Sequence, residues 1–154
     1  MLIEEAGALV VSLALVFGAA ATGMRYRPDA WYDNLVKSRL TPPRVVFPVV
    51  WGALYILMAV AAWLVWRRAG LEGAWIALLL YFLQLTCNAL WSWLFFGRHQ
   101  SVAALMDIAV LWVLLVATVA AFSPHSTLAA ILLLPYLVWV TLAFYLNASI
   151  VYLN

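Results

Sequence analysis

Polar residues are scarce along this chain, and they fall in clusters. Between the clusters run five apolar segments, at about residues 6–24, 45–66, 74–96, 102–122 and 128–153. Each reaches or approaches the roughly 20 residues that a helix needs to cross about 30 Å of hydrocarbon. In lipid, backbone polar groups must pair within a helix or around a closed barrel. Barrel strands alternate apolar and polar positions, and these runs do not alternate. The pattern therefore predicts an all-α membrane protein. It has one domain over residues 1–154, built as a bundle of five transmembrane helices.

The connections are short, with one exception. Residues 67–73 carry the breakers Gly70 and Gly73, residues 97–101 join the third and fourth spans, and residues 123–127 hold Pro124. The first connection, residues 25–44, is much longer. Within it, Asp29 is placed to cap a short helix over Ala30–Lys37, with Asp33 in the first turn. Thr41-Pro42-Pro43 is expected to stop that helix, because proline lacks a backbone donor and favours extended neighbours. A short amphipathic helix on the membrane surface, acting as a capping loop, is the expectation.

Composition agrees with the pattern. The chain is 69% hydrophobic and 9% charged, against about 25% charged in soluble domains. A net charge of +2, dispersed along the chain, is too small to suggest a nucleic-acid surface. The one cysteine, Cys87, cannot form a disulfide within the chain. The first run follows Glu4 and Glu5 rather than a basic segment, so it reads as a retained helix and not a cleaved signal. Arg25, Arg27, Lys37, Arg39, Arg44 and Arg98 fall on one side of the five spans, and only Arg67 and Arg68 on the other. This asymmetry predicts a cytoplasmic first loop and C-terminus, with the N-terminus outside.

Polar groups inside the spans are the candidates for chemistry. Asp107 is the only carboxylate within one. It reads either as a relay or ligand contact, or as an interfacial partner for Arg98 or another basic loop residue. Tyr81, Gln84, Asn88, Trp91 and Phe95 share one helical face of the third span. Phe47, Trp51 and Tyr55 are each four apart in the second span, and Tyr136, Trp139, Ala143 and Asn147 share a face of the fifth. Such faces suit either a flat ligand with polar edges or hydrogen bonds between helices. Helix one has small residues at Ala14, Gly18 and Thr22, which permit close packing. Some of the nine tryptophans read as an interfacial belt, notably Trp31, Trp66 and Trp75. No metal-ligand cluster, phosphate loop or conventional catalytic motif is present in the sequence.

Several segments in order resemble one family. They are Trp31-Tyr32-x-x-Leu35-x-Lys37, Pro42-Pro43-Arg44, Phe47-Pro48-x-x-Trp51-x-x-Leu54-Tyr55, Gln84-Leu85-x-x-Asn88-x-x-Trp91, Phe95-Phe96-Gly97, Ala104-x-x-Asp107, Pro135-Tyr136-Leu137-x-Trp139 and Leu146-Asn147. Together they resemble the tryptophan-rich sensory proteins, the TspO/MBR family of the mitochondrial translocator protein, or peripheral benzodiazepine receptor. The resemblance implies a five-helix bundle, commonly a homodimer, with a cavity opening toward the first loop. It implies a porphyrin or other tetrapyrrole ligand such as protoporphyrin IX, and no required cofactor. Carried onto this chain, the ligand-binding candidates are Trp31 and Tyr32; Trp51 and Tyr55; Asn88 and Trp91; and Trp139, Ala143, Leu146 and Asn147. Trp51 and Trp139 are the pair expected to flank the ring.

Two departures fall in the loop. Ser38 stands where the family usually has proline and Leu40 where it has tryptophan, which predicts a looser lid. No basic residue follows Tyr152, so the proposed cholesterol motif is incomplete and specific cholesterol recognition is not expected. Three functions fit the sequence. The chain is a tetrapyrrole sensor, carrier or chaperone, with Lys37, Arg39 or Arg44 meeting the ligand's carboxylates. Alternatively it degrades porphyrin under light and oxygen, using Trp51 and Trp139. Or it is a structural, partner-binding membrane protein with no ligand.

Overall fold

The structure, a computed structural model, describes residues 2–154, with side chains from residue 6 onward. Its elements are α1 (Leu2–Arg25), α2 (Ala30–Asn34), α3 (Val46–Gly73), α4 (Trp75–Ser92), a single π-helical turn (Trp93–Gly97), α5 (Ser101–Phe122) and α6 (Thr127–Leu153). Among the described residues, five helices are long and apolar enough to cross a membrane, with α4 and the π turn forming one of them. The all-α, five-span expectation holds, and α2 lies in the first connection as expected.

The spanning helices close a ring. α1 packs on α3, α3 on α6, α6 on α5, α5 on α4, and α4 back on α1. The core fills the middle of that ring with Met58, Leu85, Leu111, Leu133 and the rings of Tyr81 and Tyr136. In α1 the inward face is Ala8, Ser12, Val16 and Ala19, spaced four, four and three apart. The small residues Ala14 and Gly18 face away from the bundle, so the stripe does not pack within the chain.

Three boundaries differ from expectation for identifiable reasons. α3 continues past Trp66 through Arg67 and Arg68, and the chain reverses at Gly70, where φ is 65° and ψ −178°. Residues with a Cβ rarely adopt that conformation, so Gly70 marks the break. α2 ends at Asn34, well before the prolines, because Leu35 is already extended. Its open end is closed by Lys37, whose Nζ donates to the carbonyls of Tyr32, Leu35 and Asp33. A cation there also meets the negative end of the helix. Finally, the third span ends in the π turn, closed by Arg98 N–H donating to the Trp93 carbonyl at 2.8 Å.

Candidate functional site

At the end of the bundle beneath the first connection, a second apolar cluster forms apart from the main core. It gathers Tyr32 of α2, Phe95 of the π turn, Ala104 of α5 and Ile150 of α6. Next to it lies a small chamber, a cavity of about 30 Å³. Its walls come from Phe47 of α3, Trp91 of α4, and Phe95 and Phe96 of the π turn. Tyr32 covers it, and α6 supplies Trp139, Leu142, Ala143, Leu146, Asn147 and Ile150, at successive spacings of three, one, three, one and three that keep them on one helical face. The π turn explains why two consecutive phenylalanines both reach this wall, since one extra residue per turn shifts the helical phase.

Ring contacts fill most of the space. Trp91 stacks on Phe95 with centroids 5.1 Å apart at 14°. Phe96 meets Trp91, Phe95 and Tyr32 edge-on, and Phe47 meets Trp139 the same way at 5.7 Å. Polar atoms fix the indole of Trp91. Its Nε1 donates to Asn147 Oδ1 at 3.0 Å, and Asn147 Nδ2 donates to the Ser101 carbonyl at 2.9 Å. One turn deeper, Tyr55 donates to Asn88 Oδ1 at 2.9 Å, and Asn88 Nδ2 donates to the Tyr136 hydroxyl at 3.0 Å. These bonds tie α3, α4 and α6 together below the chamber floor.

The cover is tied down at several points. Asp29 caps α2 by accepting from Tyr32 N–H at 3.2 Å, and its other oxygen meets His99 Nε2 at 2.9 Å. That backbone bond, with His99 beside it, holds the Asp29 carboxyl below its ordinary range. Burial pushes the Tyr32 phenol up, so it stays a neutral hydroxyl against the chamber. Asn154 pairs with both backbone groups of Val36, at 3.0 and 3.1 Å. Ser38 Oγ lies 3.2 Å from the Tyr145 hydroxyl, a contact that a proline there would not make. Of the basic residues in this loop, Arg44 pairs with Asp33 and Lys37 is engaged by α2. Arg39 is exposed and has no ion pair or hydrogen bond among the described residues.

The sequence model of the TspO/MBR family matches residues 7–153. The chain is 44% identical to the tryptophan-rich sensory protein of Cereibacter sphaeroides, over 96% of this chain and 92% of that one. It is 39% identical to the tryptophan-rich protein TspO of Chlorobaculum tepidum, over 96% and 94% of the two chains. With the human translocator protein it shares 40% identity over 76% of this chain and 70% of the relative.

The chain belongs to the TspO/MBR family. With its five apolar helices, it is an integral, multi-pass membrane protein. The site residues that the TspO/MBR resemblance singles out divide into three groups in the structure. Tyr32, Trp91, Trp139, Ala143, Leu146 and Asn147 line the chamber. Asn88 and Tyr55 form the hydrogen-bonded layer beneath it, and Trp51 stacks on Tyr55 at 5.4 Å in the same layer. Trp31 lies outside, stacked on His99 and edge-on to Phe95. The structure adds Phe47, Phe95, Phe96, Leu142 and Ile150 to the lining. Phe47 and Phe95 already stood on the aromatic faces of their spans; Phe96 carried no such signal, because the π turn is not legible as a period. Asp107 is buried between helices, with Oδ2 unpartnered and no ion pair among the described residues. The interfacial pairing with Arg98 is not formed.

Proposed function

We propose that this TspO/MBR protein binds a porphyrin or related tetrapyrrole beneath its first loop, as a sensor, carrier or chaperone. The observation that carries this reading is the chamber itself, walled by the indoles of Trp91 and Trp139 and closed by a cover held through a few surface contacts. Indole faces stack on a flat apolar disc, and the exposed guanidinium of Arg39 is available to a ring-edge carboxylate. A chamber of about 30 Å³ lies far below the roughly 300–1,000 Å³ of ligand pockets. Binding on this reading therefore includes opening of the cover and separation of the Trp91, Phe95 and Phe96 rings. The six-to-two excess of Lys and Arg supports a cytoplasmic location for this end of the bundle on this reading.

Quenching of tryptophan fluorescence by protoporphyrin IX tests the proposal. Saturable quenching is expected, with Trp139→Leu or Trp91→Leu each weakening it about threefold to tenfold, as loss of an aromatic pair implies. Absence of saturation in the unaltered chain would favour a structural role. The two indoles that line the chamber also favour a second reading, oxidative breakdown of an illuminated porphyrin. Bleaching that is faster in light with the unaltered chain than with Trp139→Leu supports it, and equal bleaching in both rejects it.

A further inference from the structure

At the opposite end of the bundle, α1, α3 and α4 do not pack flush. They leave a groove with a cavity volume of about 280 Å³, nine times that of the chamber beneath the first loop. This is just under the lower bound of roughly 300 Å³ for small-molecule sites. Val11 and Leu15 of α1, Ala62 of α3 and Leu79 of α4 form its walls. Val11, Leu15 and Leu79 are exposed on the bundle's outer surface, so whatever enters the groove enters from the hydrocarbon.

The groove is not uniformly apolar. Tyr81, only 2% exposed, lines it, and its ring is fixed by stacking on Phe122 at 5.8 Å. Its hydroxyl has no hydrogen-bond partner among the described residues. A buried donor without an acceptor is costly, and more so in lipid where water does not substitute. Ser12, also buried, lines the groove from α1. The depth fits an interfacial group. Tyr81 follows Trp75 by six residues, about 9 Å along a helix axis, and side chains lean back toward the helix N-terminus. That brings the hydroxyl toward the level of Trp75 and Trp66, the two indoles of the lining, a residue type that favours the headgroup boundary. Beyond them the same end of the bundle carries Arg67, Arg68 and Glu72, charges of both signs.

We propose that this groove is a second binding site, which takes one acyl chain of a zwitterionic phospholipid. The Tyr81 hydroxyl donates to the ester carbonyl, the indoles flank the glycerol region, and the arginines and Glu72 meet the phosphate and the ammonium. The absence of any charged side chain in the lining among the described residues argues against an acidic or basic ligand buried at depth, and the mixed charge outside matches a headgroup that carries both signs.

The full chain in phosphatidylcholine nanodiscs, doped with phosphatidylcholine bearing a diazirine on one acyl chain, tests this. Photolabelling is expected to concentrate on peptides containing Val11–Leu15 and Trp75–Tyr81, and unlabelled phosphatidylcholine should compete with it. Leu79→Trp, which fills the groove from its rim, should abolish most of that labelling. Tyr81→Phe should reduce it about threefold, the loss expected for one hydrogen bond between groups in a membrane. Val113→Trp, a change at another exposed position, on α5, should leave it unchanged. Labelling spread over α5 and α6 in proportion to exposure would overturn the site, as would groove labelling indifferent to Leu79→Trp. Stronger competition by phosphatidylglycerol than by phosphatidylcholine would overturn the zwitterionic assignment.

Discussion

The imidazole of His99 lies flat against the indole of Trp31, with centroids 4.4 Å apart at 15°, while its Nε2 meets Asp29 Oδ2 at 2.9 Å. One side chain in the α4–α5 connection thus holds the start of α2 at two points, its N-cap Asp29 and Trp31. His99 does so from a left-handed backbone, at φ 54°. Such a conformation costs about 1–3 kcal/mol in a residue with a Cβ, so the contacts at its side chain have to outweigh it.

Replacing His99 separates these terms. His99→Ala loses the stack, worth about 0.5–1.5 kcal/mol, and keeps the backbone strain. His99→Gly loses the same stack and relieves the strain. Amide hydrogen exchange across Ala30–Val36 should accelerate in both variants, while global thermal stability should fall more in His99→Ala than in His99→Gly. Unchanged exchange in that segment would show that Asn154 and Ser38 hold the cover without the latch.

Acid should release the same end of the cover. The Asp29 carboxyl is held below its ordinary 3.8 by the Tyr32 backbone N–H first and by His99 after it. A depressed native pKa means that the contribution is fully present above the unfolded value and disappears as pH falls through the folded one. The cover is therefore expected to stay closed, as far as Asp29 controls it, down to pH 3.8 and to loosen only below that. Asp29→Asn should remove this acid transition from limited-proteolysis profiles of the loop; a transition retained in the variant would assign it to another group.

The layer beneath the chamber makes a sharper stability prediction. Asn88 is shared by Tyr55 and Tyr136, one on each side. Asn88→Leu leaves the buried Tyr136 hydroxyl and the half-buried Tyr55 hydroxyl without their partner, and a buried group so orphaned costs about 1–3 kcal/mol. Tyr55→Phe removes one bond and leaves Asn88 paired with Tyr136, a loss nearer 0.6 kcal/mol. Thermal unfolding in detergent should order the two with Asn88→Leu far below Tyr55→Phe. Equal losses would mean that Asn88 packs rather than bridges.

Gly97 predicts a local defect. A Cβ there would stand 2.8 Å from Cδ1 of Tyr26, within the π turn that carries Phe95 and Phe96. Gly97→Ala should cost about 1–3 kcal/mol through overpacking. Tyr26→Ala introduced beside it should recover much of that loss in a thermal-melt comparison. No recovery would place the cost in the backbone of the turn and not in the Tyr26 contact.

How far these features were legible depends on the kind of signal each leaves. The five spans were readable because continuous apolar runs have few alternative structures in lipid. The Asp29 cap was readable because a cap is set by neighbours in sequence. The aromatic faces of α4 and α6 were readable as spacings of three and four. By contrast, the layer in which Trp51 lies depends on how deeply α3 sits against α6, which no period encodes. The π turn changes phase without changing composition, so Phe96 gave no sign of facing inward. His99 looked merely unlike a metal ligand, because its two partners, Trp31 and Asp29, are some 70 residues away in the chain. The groove beside Tyr81 arises from a failure of α1, α3 and α4 to pack, and misfit between helices is invisible until they are placed.

If porphyrin enters only when the cover opens, the observed affinity is the intrinsic affinity reduced by the open fraction. Ser38→Ala removes the contact to Tyr145, and Asn154→Ala removes both bonds to Val36. Neither residue lines the chamber, so neither should alter the bound state's ring contacts. Each variant should therefore raise the association rate of protoporphyrin IX, measured by stopped-flow quenching, while leaving dissociation slow. Each broken surface bond, worth about 0.5–1.5 kcal/mol, implies an open fraction roughly two- to tenfold larger. The double variant should show the product of the two effects, because Ser38 and Asn154 share no partner. Association unchanged in all three would mean that the ligand reaches the chamber by another route, between α3 and α6 where Phe47 meets Trp139, and Phe47→Ala would then be the variant that speeds it.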